Sequence, residues 1–103
     1  ALTFEMNEVK VQWPLIRYLI DDPEYFAFYK ASVKEFVEKT FTPALMTDYL
    51  NKHKSVLAPH FTPNEIEKHP YGSIPNSQSF DQSVIDLDKY IKERHAAALD
   101  FIK

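Results

Sequence analysis

Phe80-Asp81-Gln82-Ser83-Val84-Ile85-Asp86-Leu87-Asp88-Lys89-Tyr90-Ile91-Lys92-Glu93-Arg94-His95-Ala96-Ala97-Ala98-Leu99-Asp100-Phe101 holds the cleanest periodic pattern in this chain. Phe80, Val84, Leu87, Ile91, Arg94, Ala98 and Phe101 follow one another by alternating steps of four and three. That rhythm is one continuous seam along an amphipathic helix. Asp81, Asp88, Lys92, Glu93 and Asp100 lie off the seam. Ser79 and Gln82 have the spacing of a Ser-x-x-Gln capping box, so the predicted helix runs from Phe80 toward Lys103.

Working outward, prolines punctuate the rest of the chain as helix starts. Proline at the first helical position wastes no hydrogen bond and presets φ. Trp13-Pro14 opens a short apolar turn over Leu15–Ile20, and Asp22-Pro23-Glu24 reads as cap, proline and favourable acid for a helix to about Thr40. Phe26, Tyr29, Val33, Phe36 and Val37 give that helix its apolar stripe. Phe41-Thr42-Pro43 starts another, reaching about Ala58, with Leu45, Tyr49, Leu50, Val56 and Leu57 as its expected inner face. Phe61-Thr62-Pro63-Asn64-Glu65-Ile66 repeats the device with a full capping box and starts a short helix that Pro70 stops. His69–Gln78, with Pro70, Gly72, Pro75 and Asn76, reads as a loop. Strand signals are weak: Val9–Trp13 alternates and reads as an extended arm.

The expected fold is therefore all-α, a small orthogonal or bundle-like array of about four helices. Residues 1–12 form an N-terminal arm, and 13–103 a single helical domain. A length of 103 residues with 45% apolar composition, including 8 Phe, 6 Tyr and 1 Trp, suits one small, ring-rich core.

Composition excludes several functions. A formal charge of −3 argues against a nucleic-acid partner. The absence of cysteine removes disulfides and thiolate sites. Gly72 is the only glycine, too few for a phosphate-cradling loop. No apolar run approaches the ~18–20 residues that span a bilayer, so no membrane partner is expected. The first residues lack the features of a signal peptide, and the missing initiator Met suggests a processed chain or an excised fragment.

Individual residues offer few reacting groups. His53 and His60 are seven apart, but no His-Glu-x-x-His spacing or completing carboxylate accompanies them, so no metal site is expected. Asp22 reads as a cap with Asp21 just outside the helix, and Asp86 and Asp88 point to different sides of theirs. Ser77 and Ser79 sit at a helix start with no His to activate them. No catalytic or cofactor-binding residue is expected. Arg94 interrupts the apolar seam, as a snorkelling stem or as an Arg held by a carboxylate. Trp13, Arg17, Tyr18 and Tyr25 crowd the N-terminal region, as core or as a docking surface. Trp13, Arg17, Tyr25 and Arg94 are the candidate docking or structural residues.

The run Trp13-Pro14-Leu15-Ile16-Arg17-Tyr18-Leu19-Ile20-Asp21-Asp22-Pro23-Glu24-Tyr25, followed by Tyr29, resembles the C-terminal helical part of the spore coat protein H (CotH) kinase-like family. Glu35-Phe36, Phe41-Thr42-Pro43, Leu57-Ala58-Pro59, Ser79-Phe80-Asp81 and Ile91-Lys92-Glu93-Arg94 continue the likeness, from about Trp13 to the C-terminus. Arg17 and Arg94 match as structural positions, while the loop from His69 to Asn76 departs from a shorter acidic linker.

The resemblance implies an ATP- and divalent-metal-dependent kinase-like parent acting on coat or surface proteins, at the spore coat or cell surface. It also implies that the nucleotide lysine and metal-binding aspartates lie upstream, so ATP and Mg belong to a core absent from this chain. The first expectation is a non-catalytic C-terminal helical lobe whose partner is that core. The alternative is a stand-alone helical protein-interaction module. A lobe cut from its core is further expected to expose an apolar patch and to self-associate.

Overall fold

A computed structural model describes residues 3–61 and 74–103. Its elements are α1 (Pro14–Asp21), α2 (Pro23–Lys39), α3 (Pro43–Leu57), a 3₁₀ turn (Ala58–His60) and α4 (Ser77–Ile102). No strand occurs among the described residues, and the architecture is all-α. Prolines occupy the first position of α1, α2 and α3, as their fixed φ favours. The capping box at Thr62, the helix from Pro63 and the first half of the His69–Gln78 loop fall outside the described residues.

Several expectations change. Residues 3–13 form turns instead of an extended arm, with amide-to-carbonyl bonds from Met6 to Thr3, Val9 to Met6 and Trp13 to Lys10 at 3.0–3.3 Å. α4 begins at Ser77, before Phe80, because Asn76 supplies the cap. Its Oδ1 accepts from Ser79 N at 2.8 Å, and its carbonyl from Phe80 N at 3.1 Å. Ser79 therefore lies inside the first turn, and Gln82 reaches forward to Asp86 Oδ1 at 2.9 Å instead of back to a cap. An Asn oxygen one turn earlier outcompetes the serine. Ser77 and Gln78, expected in a loop, are helical.

The chain divides into two compact units, Ala1–Thr42 with Arg94–Lys103, and Pro43–Glu93. In the first, Asp22 alone makes the corner between α1 and α2. It holds an extended backbone (φ −81°, ψ 121°), caps α2 by accepting from Glu24 N and Tyr25 N, and donates its own N–H to Tyr18 O. α1 and α2 consequently lie against each other. The core of this unit holds Val9, Val37 and Ala98, with Ala98 fully enclosed. Phe101 sits among rings, 5.8 Å from Phe4, 6.0 Å from Phe26 and 5.7 Å from Tyr29. The Nε2 of His95 donates to Val37 O at 3.3 Å.

In the second unit, Thr47 Oγ1 donates to Asp88 Oδ1 at 2.6 Å and Lys54 pairs with Asp81 at 2.8 Å. Seven residues forward on α3 answer seven residues back on α4, so the two run antiparallel. The α3 face that packs is Met46, Thr47, Leu50 and Lys54, all half-buried. Of the stripe expected there, only Leu50 belongs to it; Leu45, Tyr49, Val56 and Leu57 are exposed. Polar Thr47 and Lys54 hold the helix on this face through Asp88 and Asp81, which a purely apolar criterion overlooks. Along α4 the seam is largely realised, with Phe80, Ile91 and Ala98 buried and Leu87 exposed.

Candidate functional site

All four residues singled out from the sequence fall in the first unit. They do two different jobs there. Trp13 and Tyr25 lie on the surface, 59% and 58% exposed. Arg17 turns toward the arm, its Nη1 donating to Met6 O and Val9 O at 3.2 Å each. Its Nη2 pairs with Asp21 at 2.6 Å, and its buried Nε finds no partner among the described residues. The Arg94 guanidinium lies over the Phe4 ring, 4.5 Å from its centroid, a cation–π arrangement. The two arginines thus tie the arm to α1 and to the end of α4.

Around Trp13 and Tyr25 the surface is strongly apolar. α1 buries none of its residues, and Leu15, Ile16, Tyr18 and Leu19 all face solvent. Arm, α1 and α2 together bound a groove of about 460 Å³ lined by Met6, Ile16, Leu19, Tyr25, Phe28 and Tyr29. A neighbouring depression of about 450 Å³ runs past Val9 and Trp13. Phe28, 74% exposed, was absent from the sequence-derived stripe because it falls between Phe26 and Tyr29, which turn inward. The signal for it was the run of rings at 25, 26, 28 and 29, too many for one helix face. Burial raises the Tyr29 phenol above its ordinary value; Glu5 and, less strongly, Glu8 add to this, with Arg94 opposing.

Among the described residues, no group of three or more His, Asp or Glu could hold a metal ion. The acids that might have served are otherwise engaged: Asp21 with Arg17, Asp22 as a cap, Asp86 with Gln82, and Asp88 with Thr47 and Lys92. His53 donates Nδ1–H to Tyr49 O at 2.8 Å and packs on the Tyr49 ring at 4.1 Å. No helix among the described residues is long and apolar enough to cross a membrane.

The sequence model of the family described as CotH kinase protein matches residues 2–98. This chain belongs to the CotH kinase family. Nothing among the curated proteins or the solved structures matches it. The CotH match begins upstream of Trp13, where the sequence likeness was first legible, and takes in the arm. Met6, Val9 and Arg17 therefore lie inside the matched stretch, as do Trp13, Tyr25 and Arg94. Phe101 lies beyond it.

Proposed function

We propose that this chain is a non-catalytic, C-terminal helical lobe of a CotH-type kinase-like protein, and that it buttresses a catalytic core through the apolar α1–α2 face. One observation carries the reading: in a member of the CotH kinase family, α1 buries none of its residues although Leu15, Ile16, Tyr18 and Leu19 make it apolar. Contiguous apolar surface of this kind marks a place where another protein surface belongs. Trp13 and Tyr25 are the docking residues on it, and Arg17 and Arg94 are structural, holding the arm beside it. Under this reading ATP and the divalent metal belong to the core, and coat or surface proteins are the substrates of the whole. Titration calorimetry of this chain with ATP and Mg²⁺ is expected to show no binding. A micromolar dissociation constant overturns the lobe reading.

The second reading, a stand-alone interaction module, uses the same exposed rings. The two separate on the encoded residues before Ala1. Kinase-like Lys and Asp motifs there favour the lobe, and a natural start at that point favours the module.

A further inference from the structure

We draw no further inference here: the strongest candidate, the open apolar groove between the arm, α1 and α2 lined by Met6, Ile16, Leu19, Tyr25, Phe28 and Tyr29, carries nothing beyond the docking face already proposed, because nothing in the structure shows what covers it.

Discussion

Arg17 Nη1 donates to the main-chain carbonyl of Met6 at 3.2 Å, and Met6 holds φ at 52° in the left-handed region. A residue with a Cβ adopts that conformation at a cost of roughly 1–2 kcal/mol, so something must hold it there. The guanidinium does so by reaching Met6 O and Val9 O from one nitrogen while Asp21 orients the other. Arg17→Met keeps the stem and removes the donors. Urea unfolding is expected to show a loss of about 2 kcal/mol, with Arg17→Lys recovering only part because an ammonium lacks the planar fork. An unchanged midpoint in Arg17→Met refutes the tie.

Ala98 has no exposed surface and Val37 is 2% exposed, so the first unit tolerates neither growth nor shrinkage at these points. Ala98→Leu is expected to cost about 2 kcal/mol by overpacking. Val37→Ala is expected to cost about 2 kcal/mol through two lost methyl groups and the cavity they leave. Thermal unfolding that is indifferent to both changes contradicts this core.

Asn76 and Ser79 compete as the cap of α4, and the structure assigns the role to Asn76. Asn76→Ala is expected to lower stability by about 1 kcal/mol, against less than about 0.5 kcal/mol for Ser79→Ala. The reverse order, in far-UV circular dichroism melts of the two variants, restores the serine cap.

Hydrogen bonds from Lys92 and Thr47 hold the Asp88 carboxyl below its ordinary value. A carboxyl depressed in the folded state contributes stability that is present above its unfolded pKa of about 3.9 and lost as pH falls through the lower folded value. An NMR titration of the Asp88 side-chain carbon is expected to give a midpoint below that of a free aspartate. Lys92→Met should raise that midpoint, as should Thr47→Val to a lesser degree. A midpoint that ignores both substitutions removes Asp88 from the α3–α4 tie.

Much of this fold was legible because its signals are local. Pro14, Pro23 and Pro43 announce helix starts through their own covalent geometry, and Asp22 caps α2 as its position beside Pro23 suggests. The alternation of four and three along α4 marks Phe80, Ile91 and Ala98 as buried. Arg17 and Trp13 were both visible as unusual. Their division into a tether and a surface ring was not, because that depends on where the arm folds back. Phe28 was missed for a different reason: the helical stripe through Phe26 and Tyr29 passes it by.

The amino-acid order alone determined that the chain is helical, where α1, α2 and α3 begin, and which stripe of α4 turns inward, since dihedral preference and apolar periodicity act over a few residues. Only the tertiary structure decided that residues 3–13 coil into turns on Arg17, that polar Thr47 and Lys54 join α3 to α4, and that α1 is left uncovered. Those outcomes depend on groups far apart in the chain meeting in space: Thr47 with Asp88, Lys54 with Asp81, Phe4 with Phe101. No local preference encodes such a pairing, because its free energy exists only once both partners are in place.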